Sequence, residues 1–130
     1  MKVNLIALVV CAVLFLAGCN AAEIPEASYR QISTQEAVTM MAEETDYIIL
    51  DVRTQEEFAS GHIPEAINIP NEAIGTTDVP ELPNKDQLIL VYCRSGNRSK
   101  QASEKLVALG YTNIVEFGGI NSWSGEIVTD

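Results

Sequence analysis

Residues 93–99 read Cys-Arg-Ser-Gly-Asn-Arg-Ser, and no other stretch of the chain concentrates so much chemistry. A thiol at the start of a loop that runs into a helix feels the positive end of the helix dipole, which favours the thiolate of Cys93. Successive backbone N–H groups in a tight, glycine-containing turn can form an anion-binding nest around the sulfur. Gly96 permits the positive φ that such a cradle demands. Arg94 and Arg98 add fixed charge that can grip an oxyanion. Residues 93–105 hold the basic side chains Arg94, Arg98, Lys100 and Lys105 against one acid, Glu104, in a chain of net charge −10. The segment is a concentrated positive site for a small anion beside a nucleophilic sulfur.

Other chemistries fit less well. The cysteines (Cys11, Cys19 and Cys93) follow no C-x2-C spacing, and the single histidine, His62, cannot complete a Cys2His2 set. A zinc finger is therefore not expected. The acidic balance gives no surplus of cations to displace counterions from phosphate, so nucleic acid is not an expected partner.

The loop must be positioned by buried elements. Leu88 to Tyr92 is the most apolar run and reads as the central strand, with Cys93 at its end. Ser99 to Leu109 reads as a helix with Ala102, Leu106 and Leu109 facing the core and Gly110 just past its end. Upstream, Tyr29–Ile32 reads as a short strand, and Ser33 and Glu36 form a capping box opening a helix with Ala37, Met40 and Met41 on one side. Tyr47–Leu50 is a second buried strand. Thr54 and Glu57 open a short helix that stops at Gly61, and Ala66–Ile69 is a third strand candidate. Residues 71–85 read as a loop with one helical turn, and Ile114–Phe117 as a last strand leading to a short helix that carries Trp123 as a core residue. Alternating strands and helices predict an α/β domain with a mainly parallel central sheet flanked by helices. Ligands of such sheets bind beyond the carboxyl ends of the strands, where Cys93 falls. Glu43-Glu44 and Glu56-Glu57 read as solvated helix faces.

Residues 1–18 read as an address. After Met1-Lys2, an apolar run of thirteen residues extends from Leu5 to Ala17, short of the roughly 20 that span a bilayer. The run closes on Leu16-Ala17-Gly18-Cys19, which resembles a bacterial lipobox, so Cys19 is expected to be acylated. The competing reading is a plain secretory peptide or membrane helix with Cys19 incidental. Residues 19–28 then form a lipidated N-terminus and tether, and residues 29–130 the domain. Cleavage removes Lys2 and takes the net charge to −11. With Cys11 gone and Cys19 capped, Cys93 is the one free thiol, in an extracytoplasmic domain anchored to a bacterial membrane.

Nearly all of residues 30–124 resembles the rhodanese family of sulfurtransferases. Leu50-Asp51-Val52-Arg53, Glu57-Phe58, Gly61-His62-Ile63-Pro64 and Ala66-Ile67-Asn68-Ile69-Pro70 are similar to its first signature. Cys93–Ser99 is similar to its active loop, and Gly118-Gly119 with Trp123 to its last signature. Glu65 departs from the family, which often has glycine there. The six residues from Cys93 to Arg98 match the C-x4-R loop of the sulfurtransferases and not the C-x5-R loop of phosphatases with this fold.

The resemblance implies a rhodanese-like fold and attack by the Cys93 thiolate on the sulfane sulfur of a donor such as thiosulfate. A persulfide on Cys93 then passes sulfur to a thiol or cyanide, and the resemblance implies that no metal or organic cofactor is needed. Arg94 and Arg98 are expected to bind the donor; Ser95, Gly96, Asn97 and Ser99 to supply the cradle; Asp51 and Arg53 to clasp the strand end. Bland readings stand beside these: an inert buried cysteine, an Arg98 that only braces the loop against a carboxylate, and a structural His62. At the level of function the alternatives are a non-catalytic sulfur carrier or partner-binding module, and a thiol-based oxyanion reductase, which lacks a second resolving cysteine. A monomer is expected.

Overall fold

Leu88–Cys93 forms the middle strand, β4, of a five-stranded sheet, and all six of its residues are buried. The computed structural model describes residues 28–129, so residues 1–18, Cys19 and most of the tether lie outside the described residues. The remaining strands are β1 (Arg30–Gln31), β2 (Tyr47–Asp51), β3 (Ile67–Asn68) and β5 (Ile114–Gly119). Their order is β1-β5-β4-β2-β3, with every neighbouring pair parallel. Three helices connect them: α1 (Thr34–Glu43), α2 (Gln55–Ser60) and α3 (Asn97–Ala108).

Burial on both faces explains why β4 is apolar at every position. One set of its side chains (Ile89, Val91, Cys93) joins Leu50, Val52, Ile114 and the α3 residues Ala102 and Leu106 in one core layer. The other set (Leu88, Leu90, Tyr92) joins Ile49, Val115, Phe117 and Ala37 of α1 on the opposite face, with Met40, Met41, Phe58 and Trp123 packed around it. Each fully buried aliphatic side chain of this kind contributes about 1.5–3 kcal/mol.

The helix starts follow the sequence. The Ser33 hydroxyl accepts the Glu36 N–H at 3.1 Å. At α2 the box is complete: Thr54 Oγ1 accepts the Glu57 N–H at 3.2 Å, and Glu57 Oε1 accepts the Thr54 N–H at 3.3 Å.

Several boundaries differ from expectation, among them β1, which shortens to Arg30–Gln31, and β5, which runs on past Phe117 to Gly119. Helix α3 begins at Asn97, two residues before Ser99, because Gly96 at φ +108° turns the chain directly from strand into helix. The third strand shortens to Ile67–Asn68, since it pairs only with β2 at the sheet edge. The expected C-terminal helix is a single 3-10 turn, Ile120–Ser122. Beyond it the chain returns extended, and His62 and Val128 exchange backbone hydrogen bonds of 2.9 Å as an antiparallel bridge. Trp123 follows that turn, half-buried against Phe117 with ring centroids 6.1 Å apart. Glu65, the departure from glycine, has φ +70°, a left-handed conformation that glycine adopts without strain.

Candidate active site

Cys93 ends β4 on the α3 side of the sheet and is only 1% exposed. Burial is the largest influence on its thiol and pushes the pKa up. The Ser99 hydroxyl and the backbone N–H groups of Ser99, Gly96 and Ser95 act the other way and together prevail, so the thiol lies below its ordinary value. The Gly96 N–H donates to Sγ at 3.0 Å. Cys93 Sγ in turn lies 3.4 Å from Ser99 Oγ. The loop thus folds its amides inward onto the sulfur, at the N-terminus of a twelve-residue helix. Arg94 and Ser95 face outward, exposed, and Asn97 is the exposed first residue of α3.

Arg98 is half-buried, and its guanidinium is engaged by a carboxylate. Nη1 donates to Glu57 Oε1 at 2.6 Å and Nη2 to Oε2 at 3.0 Å, a bidentate pair between α3 and α2. Glu57 is therefore no ordinary solvated acid. It caps its own helix and holds the loop arginine, which the capping pattern alone did not reveal. Hydrogen bonding to Arg98 is the main reason its carboxyl drops to about 2. A carboxyl lowered in the folded state adds stability above its unfolded pKa, and that stability is lost as pH falls toward about 2. Glu57→Gln should accordingly cost about 0.5–1 kcal/mol near neutral pH, because the pair is partly exposed. The difference between the two proteins should shrink as pH falls through about 4 toward 2, which urea melts at several pH values would read.

Asp51 and Arg53 sit at the end of β2 and are buried together. Arg53 Nη2 donates to Asp51 Oδ2 at 2.7 Å and to the Gly61 carbonyl at 2.6 Å, and the Arg53 backbone N–H donates to Asp51 Oδ1 at 2.9 Å. The guanidinium lies 5.8 Å from the centre of the Tyr92 ring. Burial, aided by hydrogen bonding to Asp51, raises the Tyr92 phenol well above its usual range. The Tyr92 hydroxyl accepts the Ile63 N–H at 3.1 Å. The clasp expected here is a buried node joining the ends of β2 and β4 to the chain after α2. His62 is buried beside it, stacked on Phe58 at 3.7 Å, with Nδ1 2.8 Å from the Phe58 carbonyl.

One further residue reaches the loop, and sequence reasoning missed it. Glu116 is 3% exposed, and its Oε1 accepts the Ser99 hydroxyl at 2.6 Å and the Gly118 N–H at 2.8 Å. Its signal was a lone acid inside the apolar strand Ile114–Phe117, where strand alternation puts it on the α3 face with Ile114.

A family model described as Rhodanese-like domain matches residues 33–126. This chain belongs to the rhodanese-like family. Among its relatives is a protein named Sulfurtransferase from Allochromatium vinosum, 36% identical over 95 residues, covering 72% of this chain and 87% of the relative. The Thiosulfate sulfurtransferase PspE of Escherichia coli is 37% identical over 71 residues, covering 55% of this chain and 68% of PspE. A crystal structure of a rhodanese-related protein from Thermoplasma volcanium superposes with a TM-score of 0.66 at 31% identity, covering 78% of this chain and 100% of that one. The chain spans only 22% and 24% of the length of two fungal proteins it also matches, each named Adenylyltransferase and sulfurtransferase UBA4, from Ogataea parapolymorpha and Candida albicans. The rhodanese-like fold and kinship with sulfurtransferases follow from these matches and from the parallel sheet.

Proposed function

We propose that this rhodanese-like domain transfers sulfane sulfur through a persulfide on Cys93, with a small anionic donor such as thiosulfate. The observation that carries this reading is the inward-facing cradle on Cys93, which lowers the thiol against the opposing effect of burial. The Cys93 thiolate attacks the outer sulfur of thiosulfate, the S–S bond of the donor breaks, and sulfite leaves with its electron pair. On this reading the terminal sulfur of the resulting persulfide is an anion, stabilised by the loop amides of Ser95, Gly96 and Ser99 that face Cys93 Sγ. Cyanide or a thiol then attacks that sulfur and regenerates the Cys93 thiolate.

The sulfur lies at the floor of the loop, 1% exposed, so the donor must present a slender sulfur atom while its charged end stays outside. Arg94 stands exposed at the rim to receive that charge. Arg98, held by Glu57, supplies positive potential from a fixed position and acts on Cys93 through space. Asp51 and Arg53 support the strand end and take no chemical part. On this reading the domain works tethered outside the cytoplasm through acylated Cys19, as a monomer.

The test is peptide mass spectrometry of the full chain before and after thiosulfate. The peptide carrying Cys93 should gain one sulfur atom, lose it to cyanide, and gain nothing in Cys93→Ser. The same spectra read whether the chain begins at an acylated Cys19. A Cys93 that reacts with alkylating agents yet never gains sulfur from thiosulfate would overturn the sulfur-transfer reading and favour a partner-binding module or an oxyanion reductase.

A further inference from the structure

Three polar side chains line up under the loop, all nearly sealed from solvent: Cys93 at 1%, Ser99 at 0% and Glu116 at 3% exposure. Cys93 Sγ is 3.4 Å from Ser99 Oγ, and Ser99 Oγ is 2.6 Å from Glu116 Oε1. Ser99 has one hydroxyl proton. Four groups lie within its reach: the thiol sulfur, Glu116 Oε1, the Gly96 carbonyl at 2.9 Å and the Gly118 carbonyl at 3.3 Å. The shortest contact is to the carboxylate. With its proton directed there, Ser99 turns a lone pair toward Cys93 and accepts the neutral S–H. A thiolate in the same place needs the opposite arrangement, with the hydroxyl turned to donate to sulfur.

We propose that Cys93 and Glu116 share one proton through the Ser99 hydroxyl, so that Glu116 receives a proton when Cys93 becomes the thiolate. The S–H bond breaks as an O–H bond forms on Ser99, and the original Ser99 O–H bond breaks as one forms on Glu116 Oε1. One proton moves at each link, no electrons change owner, and the trio carries a single negative charge before and after. Every hydrogen-bonding site stays satisfied: Glu116 O–H now donates to Ser99 Oγ, and Ser99 O–H donates to sulfur. The Gly118 N–H remains on Oε1 throughout, anchoring the carboxyl beside the loop.

Glu116 touches no reacting atom and is a positioning residue that acts through Ser99. Its two hydrogen bonds come from neutral groups, a hydroxyl and an amide, so the negative charge it brings under the loop has nothing on these contacts to cancel it. Among the other charges, Arg98 of α3 acts on the sulfur through space, and Arg98 is itself paired with Glu57 of α2 and influenced by Glu72 of the 3-10 turn Asn71–Ala73. None of them contacts Sγ by hydrogen bond, whereas Ser99 and the loop amides do.

A shared proton has a signature that a merely structural carboxylate lacks. Below the pH where the pair loses its second proton, the thiolate fraction is set by the internal equilibrium and no longer depends on pH. An isolated thiol instead loses about tenfold in thiolate for each pH unit below its pKa. The experiment is the alkylation rate of Cys93 by iodoacetamide, a neutral probe, read on the Cys93 peptide of the full chain from about pH 5 to 9. The wild type should show a flat shoulder between about pH 5 and 6.5, and Glu116→Gln should lose it and alkylate at least about tenfold more slowly at the acid end. Ser99→Ala, which breaks the link and keeps the carboxylate, should lose the shoulder too.

A wild-type rate falling tenfold per unit throughout would overturn the proposal. So would faster alkylation of Glu116→Gln at every pH, the result expected if Glu116 only repels the thiolate. Circular dichroism checks each fold; if Glu116→Gln does not fold, the wild-type profile and Ser99→Ala decide. The inference deepens the reading of Cys93 as nucleophile but needs no sulfur donor. Failure with thiosulfate and failure of the shoulder are therefore separate results.

Discussion

Asp51→Ala is expected to destabilise the domain by about 3–5 kcal/mol at neutral pH, because it leaves the Arg53 guanidinium buried without its counter-charge. Arg53 is 5% exposed and cannot swing into water without abandoning the Gly61 carbonyl. Asp51 itself also accepts the Arg53 backbone N–H, so its loss unties the turn after β2 as well as the ion pair. Against a typical domain stability of about 5–15 kcal/mol, such a loss would leave little margin. Urea denaturation followed by Trp123 fluorescence gives the value. Replacing both partners, Asp51→Leu with Arg53→Met, should cost much less than Asp51→Ala alone, since no charge is then stranded. If the single and double variants lose the same stability, the node's weight lies in its backbone hydrogen bonds and not in the buried charge.

Gly119→Ala should disrupt the loop through space and not through backbone strain. Gly119 has φ −152° and ψ 163°, an extended conformation open to any residue. A Cβ there would overlap the Arg94 carbonyl carbon and oxygen and fall 2.6 Å from the Ser95 nitrogen. These are backbone atoms at the start of the cradle, and the Arg94 carbonyl is held by the Asn121 N–H at 3.1 Å, so the loop cannot yield cheaply. Overpacking against a fixed backbone costs about 1–3 kcal/mol, and the displacement falls on the Ser95 amide that helps stabilise the Cys93 thiolate. The expected outcome is a lowered thermal midpoint together with slower Cys93 alkylation near neutral pH. Gly118→Ala is the comparison: nothing lies within 4 Å of a Cβ there, so its cost comes only from φ +89°. Unchanged alkylation in Gly119→Ala would mean that the loop tolerates displacement without losing its grip on sulfur.

The loop itself was legible in the sequence because its design is local. A buried strand, a cysteine, a glycine able to take positive φ and a following helix lie within a few residues, and the backbone amides that face Cys93 belong to the same segment. The central place of Leu88–Cys93 was readable for a similar reason, since burial on both faces forces an unbroken apolar run. Helix starts at Ser33 and Thr54 followed from side chains that bond amides three residues away. The Asp51–Arg53 clasp lies two residues apart and belongs with these local features.

Only the tertiary structure decided which distant groups meet. Glu57 and Arg98 are 41 positions apart, and their pairing depends on α2 and α3 being brought side by side by the sheet. Glu116 and Ser99 are 17 apart, joined because β5 lies next to β4 in parallel register, with Glu116 opposite Val91. The C-terminal segment made a strand-like bridge to His62 instead of a helix, because tertiary backbone hydrogen bonds were available there and a short helix has little intrinsic stability. Amino-acid order alone determined the candidate thiol, the loop amides around it and the class of fold. Chain packing determined which carboxylates stand beside them, because a charge's influence falls with distance in space and takes no account of separation along the chain.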